Sequence, residues 1–167
     1  IGFRQDLNIN YQFPEALKNK VTLRDAIWDL RENVVSAANK NYTSGVKCKF
    51  LNHEYMTGGF SSIYMSRSRL RTWDEQSVTI QAGGRHAPLH PQAPKMQHIE
   101  LNKKLFVAGK ENLYRRLSVR ECARIQTFPD NFEFIYSKIA TGYKMIGNAV
   151  PVEFAKILGT SIRRHLK

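Results

Sequence analysis

At 167 residues the chain can bury a core of its own, as one compact domain or as a small domain with appended elements. Apolar residues at 42% and aromatics at 11% exclude a disordered chain, and no apolar run approaches the roughly 18 residues of a membrane span. Lys+Arg 26 against Asp+Glu 14 gives a net +12, which points to a polyanionic partner or, more blandly, to a solvated basic surface.

The chain opens on Ile1 in "IGFR", which reads as the tail of a buried strand, so a fragment or a processed piece is expected. The stretch that follows, to Pro14, is extended and turn-like. "TLRDAIWDL" predicts a short helix over Thr22–Leu30, with Thr22 as cap and Asp25 in a box-like position. Residues 41–59 are irregular, broken by Gly45, Gly58 and Gly59.

From Phe60 onward, β-branched and aromatic residues predict two strands, Phe60–Trp73 and Ser77–Ala82, joined by a turn at Asp74-Glu75. In the first, "IYMSRSRLRTW" places Arg67, Arg69 and Arg71 at alternate positions, hence on one side of a ribbon. The planar arginine fork can grip guanine O6 and N7 together, and a two-stranded ribbon fits the DNA major groove. Arg85, after Gly83-Gly84, can join from the neighbouring loop. A charged, solvated edge strand explains the same pattern without a ligand. Both readings stay open on the arginines alone. Between Tyr64 and Arg124 stand twelve Lys/Arg and five Asp/Glu, a net +7, so the charge is concentrated here.

"LSVREC" carries a helix start, with Ser118 as cap, Glu121 completing a capping box, and Leu117 and Cys122 as a hydrophobic staple. Phe128–Asn131 ends that helix in a turn. The last helix follows Pro151, with Phe154, Ile157, Leu158, Ile162 and Leu166 as an apolar stripe and Arg163, Arg164, His165 and Lys167 at its C-terminal end.

The residues offer little catalytic chemistry. His86 and His90 are separated by Pro88, and Cys48 and Cys122 lack paired spacing, so no metal site is expected. Two cysteines so far apart give no disulfide framework either, and a reducing cytoplasm is the expected setting. Cys122 sits where burial makes a thiol inert, and "AGKE" at 108–111 is not a phosphate loop.

The last third is more specific. "RRLSVRECARIQTFPDNFEF" resembles motif IX of the DNA (cytosine-5)-methyltransferases, and "GYKMIGNAVPVEFAKILGTSI" resembles their motif X, around Gly147-Asn148-Ala149-Val150-Pro151. "IGFR" looks like the tail of motif VIII. Between VIII and IX this family carries its target recognition domain, and residues 60–94 are similar to that domain in the GGCC-directed HaeIII methyltransferase branch. The family's Phe-x-Gly-x-Gly cofactor loop, Pro-Cys nucleophile and Glu-Asn-Val acid motif precede motif VIII, and none of them is read in this chain.

The resemblance implies an α+β recognition domain of short strands and loops, with a C-terminal helix docking on a Rossmann-like catalytic domain. It implies a division at 1–35 (end of motif VIII and linker), 36–141 (recognition domain with motif IX) and 142–167 (motif X). Arg67, Arg69 and Arg85 are implied as guanine contacts, and Arg71 as a guanine or phosphate contact. Thr79-Ile80 matches the pair beside the flipped nucleotide, and Ile63 is a wedge into the duplex or an ordinary core residue. Arg120, Glu121 and Arg124 are implied as the structural part of motif IX, with Arg120 and Arg124 bonding to backbone or, alternatively, to DNA phosphate. Asn148, Ala149 and Val150 are implied beside S-adenosylmethionine, with Cys122 not matching the nucleophile and no catalytic residue in the chain. The expected partners are double-stranded DNA with a GGCC-like site, a catalytic N-terminal half and, through the motif X helix, a second copy, in a bacterial cytoplasm at the nucleoid. A free-standing DNA-binding module or an inactive remnant is the alternative.

Overall fold

The computed structural model describes residues 1–67 and 69–166. It is a small α+β structure with few and very short strands, in which buried side chains, and not sheet ladders, organise long irregular segments. Helix α1 (Leu23–Ile27) starts at the expected box: Thr22 Oγ1 accepts from the Asp25 amide, and the Asp25 carboxylate accepts from the Thr22 amide. It runs into a 3₁₀ turn, Trp28–Leu30. Strands β1 (Val35–Ser36) and β2 (Glu54–Tyr55) form a two-residue parallel pair. A short helix α2 (Ser62–Ser66) follows, then an antiparallel hairpin of β3 (Gln97–Glu100) and β4 (Lys103–Leu105). Three helices complete the chain: α3 (Val119–Ile125), α4 (Ile139–Asn148) and α5 (Val152–His165).

The strand expected over Phe60–Trp73 is not there. Ser61 Oγ accepts from the Tyr64 amide and caps α2, and the helix turns Tyr64 inward so that its hydroxyl donates to the Ala87 carbonyl at 2.7 Å. Tertiary packing thereby overrides the β preference of an aromatic, β-branched run. Ser68 of that expected strand lies outside the described residues. Beyond it, Arg69 and Leu70 are both buried, so strict alternation of faces fails. Leu70 makes a single parallel bridge to Leu89, which in turn bridges Arg116. Ser77–Ala82 forms no strand among the described residues, whereas the turn at Asp74-Glu75 forms, with the Glu75 amide donating to Thr72 O.

The main core gathers α1, α3 and α4 around Ile27, Leu117, Cys122, Ile139, Tyr143 and Ile146. Leu117 and Cys122 are fully buried together, as a staple requires, and burial pushes the Cys122 thiol far above its ordinary range. Helix α4 carries no side-chain cap and was not expected. Its Tyr143 hydroxyl donates to Leu117 O at 2.6 Å and accepts from the Met56 amide at 3.2 Å, tying α4 to the motif IX segment. A second cluster, Tyr64, Leu70, Leu89, Ala93 and Tyr114, fixes α2 and the loop after it.

At the centre lies a buried ionic group. Glu121 is fully buried, and both its oxygens accept from Arg115, each at 2.8 Å. One oxygen also accepts from the Ser118 amide at 2.7 Å, closing the capping box of α3. His90 Nε2 lies 3.5 Å from the other. Burial alone would raise the Glu121 pKa, but the charge and paired hydrogen bonds of Arg115 outweigh it and hold the carboxyl down to about 2. Burial lowers His90 to about 4, against the pull of Glu121, and the imidazole is neutral at pH 7.

Helix α5 leaves the core. Its start is pinned by the Val152 amide on Gln126 O and the Glu153 amide on Thr127 Oγ1, and its far end meets Tyr11 through His165. Of the expected apolar stripe, Ile157, Leu158 and Ile162 are half-buried, while Phe154 and Leu166 are more than half exposed. Lys167 lies outside the described residues.

Two stability outcomes follow from this packing. Glu121→Gln leaves Arg115 buried without its counter-charge and should cost about 3–5 kcal/mol in denaturant unfolding. Acid should act in two stages: an unfolded His90 takes up a proton below about pH 6.5 that the folded one refuses until about 4. Stability therefore declines across that window, with His53, which burial also lowers, adding to the loss, then declines further toward pH 2 as Glu121 protonates; His90→Gln should make the first stage of a ΔG-against-pH curve shallower. Gly147 is a third test, because a Cβ there would overlap the Gln81–Ala82 backbone. Gly147→Ala should cost about 1–3 kcal/mol, whereas Gly159→Ala, in open space on α5, should be neutral or stabilising by up to about 1 kcal/mol in thermal unfolding.

Candidate nucleic-acid interface

The surface formed by residues 57–86 hangs on buried arginines. Arg116, almost fully buried, donates to Gly58 O at 3.1 Å and Gly59 O at 2.8 Å, and its guanidinium lies 4.1 Å from the Phe60 ring centre. Gly58 has φ 110°, a conformation that suits glycine, so the turn presents both carbonyls to one guanidinium. Burial lowers the Arg116 pKa, with the nearby Arg85 charge working in the same direction. The loop so fixed leads directly into α2.

On α2, Tyr64 faces the core while Ile63 is 68% exposed, so the core alternative for Ile63 does not hold. Arg67 follows at the helix end, exposed and with extended backbone. Arg69 differs from it: the side chain is buried, donates to His86 O at 3.1 Å and lies 5.5 Å from the Tyr64 ring centre. Arg71 is half-exposed and 3.7 Å from Glu75. The three arginines thus share no common face. Arg85 is exposed on a 3₁₀ turn, Gly84–His86, whose last carbonyl is the one Arg69 holds. Arg85 also borders a small cleft with Gly58, Gly59, Ser61 and Arg116, so the Arg85 turn and the start of α2 are neighbours.

Thr79 is exposed, and Ile80 beside it is buried in the main core. Their segment runs against α4 at Gly147, whose missing side chain permits the approach. Thr79 and Ile80 therefore share one cleft with Ala149 and Pro151 of the Gly147–Pro151 signature, and with Thr22 and Gln126. Asn148 and Val150 are exposed at its border, Ala149 half-buried. These residues can offer one amide and some apolar surface to a ligand, a lip and not an enclosing pocket.

In the motif IX helix the side chains point inward. Arg120, 1% exposed, donates to the carbonyls of Leu51, Pro129 and Phe132 and to Asn52 Oδ1. Asn52 in turn exchanges two hydrogen bonds with the Phe134 backbone. Arg124 bridges Asp130 and Asp29, and those hydrogen bonds raise its pKa against the effect of burial. His53 ties the group to the N-terminal segment: Nε2 faces Leu30 O, so it carries the proton, and Nδ1 accepts from Ser118 Oγ. Arg115, Arg116 and His53 were missed in the sequence; the Arg115-Arg116 pair marked charge, but nothing local revealed its partners.

One reading of the sequence needs correction. Glu32-Asn33-Val34 does spell an acid tripeptide. It follows the "IGFR" segment, Glu32 is exposed and pairs with Arg31 at 3.3 Å, and Asn33 occupies a turn with φ 61°. It forms a surface turn. Among the described residues no cluster of three metal-ligating side chains forms, and no helix is long and apolar enough to cross a membrane.

The family profile of C-5 cytosine-specific DNA methylases matches residues 1–164. The Type II methyltransferase M.FnuDI of Fusobacterium nucleatum is 53% identical over 169 residues, covering 99% of this chain and 49% of that protein. M.MthTI of Methanothermobacter thermautotrophicus is 56% identical over 167 residues, covering the whole chain and 50% of the relative. M.NgoPII of Neisseria gonorrhoeae is 52% identical over 171 residues, again covering half of the relative. The chain spans about half the length of the curated relatives it matches. With a profile match over nearly its whole length, the chain belongs to the C-5 cytosine-specific DNA methylase family.

Proposed function

We propose that this chain is the target-reading portion of a DNA (cytosine-5)-methyltransferase of a restriction-modification system. It reads a GGCC-like site in double-stranded DNA, and a catalytic half with a Rossmann-like fold methylates a flipped cytosine. The observation that carries the reading is the cleft in which Thr79-Ile80 meets Ala149 and Pro151, because it joins the recognition segment to the motif X turn. The relatives' names support the chemistry, and their doubled length supports a missing half.

Arg67 and Arg85 are the guanine-reading groups, both exposed and close to the glycine turn that Arg116 fixes. Arg69 serves the same reading from beneath, holding the His86 carbonyl and so the Arg85 turn. Ile63, exposed on α2, is placed to wedge between base steps, and Thr79 to meet the displaced nucleotide. Arg120, Glu121 and Arg124 hold the domain together. The segments 1–35, 36–141 and 142–167 act as linker, reader and docking element, α5 offering Phe154 and Leu166 to the catalytic half or to a second copy. S-adenosylmethionine supplies the methyl group, and Asn148, Ala149 and Val150 contribute one edge of its site. With no Pro-Cys and no cofactor loop in its 167 residues, the chain alone transfers no methyl group, and its setting is the bacterial cytoplasm, on the nucleoid.

Mixing the chain with its catalytic half should restore methylation of GGCC-containing duplex; a folded stoichiometric mixture without transfer would leave a free-standing DNA-binding module as the better reading. Arg67→Ala and Arg85→Ala should each lose about 1–3 kcal/mol of discrimination at one G·C pair while scrambled duplex binds as before. Equal losses on both duplexes would reduce these arginines to electrostatic contacts.

A further inference from the structure

A basic cleft lies beyond the base-reading groups, between the Leu70–Glu75 segment and the hairpin. Arg71, Lys95 and Lys104 line it, with Glu75 and Thr72 on the same wall. These residues come from three separate parts of the chain. The Leu70–Leu89 bridge and the second core cluster hold the first part, and the packing of β4 against α2 holds the third.

The charges in the cleft are arranged, not merely adjacent. Glu75 is fixed by the Thr72 amide at 2.7 Å and the Thr72 hydroxyl at 2.9 Å, which lower its pKa. From that position its other oxygen draws on Arg71. Lys95 is exposed and near enough to Glu75 to lower its pKa as well, yet among the described residues neither Lys95 nor Lys104 makes an ion pair. Three cations face one carboxylate, so the cleft is left with a surplus of positive charge. Among the described residues its lining includes no aromatic side chain on which a base could stack, and ammonium groups suit phosphate as point charges.

Position supplies the partner. Arg67 and Arg71 are four residues apart, at most about 14 Å along an extended chain, and the major groove is about 12 Å wide. That reach leaves the cleft able to meet phosphates on the groove's rim while a guanidinium meets the base edges. We propose that Arg71, Lys95 and Lys104 form a clamp for the DNA backbone, separate from the reading groups, which sets the recognition domain's register on the duplex without reading sequence. The clamp rests on the DNA-reading function proposed above.

The test is a titration of the full chain with a GGCC duplex and a scrambled duplex over a series of salt concentrations. Lys95→Gln/Lys104→Gln should weaken binding by one common factor on both duplexes. It should also flatten the slope of log affinity against log salt by about 1.8, about 0.9 for each phosphate no longer neutralised. Both lysines lie outside the core clusters, and the unfolding midpoint should not move. An unchanged slope overturns the clamp, as does a loss confined to the GGCC duplex, or no binding to either duplex. If the unaltered chain binds both duplexes equally but the double variant still flattens the slope, the clamp stands and the base-reading assignment falls.

Discussion

The Glu121 carboxylate is the constraint on which the rest of the structure depends. An acidic residue at the third position of a helix is commonly a modest surface device, worth a fraction of a kcal/mol against the helix dipole. Here it is buried, and burial changes its role. A carboxylate taken out of water must be matched by charge and hydrogen bonds or it will not stay ionised. Arg115 supplies the charge, the Ser118 amide supplies a third bond, and His90 fills the remaining side in its neutral form. Satisfying one buried charge thus fixes the start of α3, the turn at Arg115–Leu117 and the segment around His90. Through Ser118 Oγ and His53 it also fixes the Leu30 carbonyl, nearly ninety positions earlier in the chain.

The outer loops inherit their order from that centre. The 88–90 segment, held between Leu70 and Arg116, has little regular pairing, yet it carries the second core cluster and so the orientation of α2. Arg116 holds the glycine turn, Arg69 holds the Arg85 turn, and Arg120 holds the 51–52 and 129–134 segments together. Four of the arginines that contribute to the net +12 thereby face backbone carbonyls or carboxylates inside the protein. The positive surface is therefore smaller than the composition suggests, and Arg67 and Arg85 are among the cations left exposed on it. A domain with few ladder hydrogen bonds can keep loops in one shape by this means, because each guanidinium has five donors to distribute among carbonyls.

What was legible in the sequence follows from the range of the interactions. The Thr22 and Ser118 boxes and the Leu117–Cys122 staple are local, and each formed where its residues predicted. The α2 cap at Ser61 is equally local, but it was hidden within a run of strand-like residues whose preference Tyr64 and Ala87 overrode from a distance. Alternation at Arg67, Arg69 and Arg71 misled for the same reason: strand periodicity describes an unpacked ribbon, and burial of both Arg69 and Leu70 broke it. Helix α4 had neither cap nor dipole signal and formed because Ile139, Tyr143 and Ile146 fit the core. The motif X residues were found by resemblance, while their approach to Gln81-Ala82 could be seen only in three dimensions.

That approach bears on how recognition is joined to chemistry. Gly147 brings the helix preceding the Asn148–Val150 turn directly against the backbone that carries Thr79 and Ile80. No side chain lies between them, so neither segment can shift far without the other. Helix α5 starts immediately after the turn, pinned to the end of α3 by the Val152 and Glu153 amides, and then extends away with Phe154 and Leu166 uncovered. That face is therefore connected, through one glycine contact, to the segment that carries Thr79 and Ile80. The cleft is built from both segments, and the partly covered helix begins at its edge.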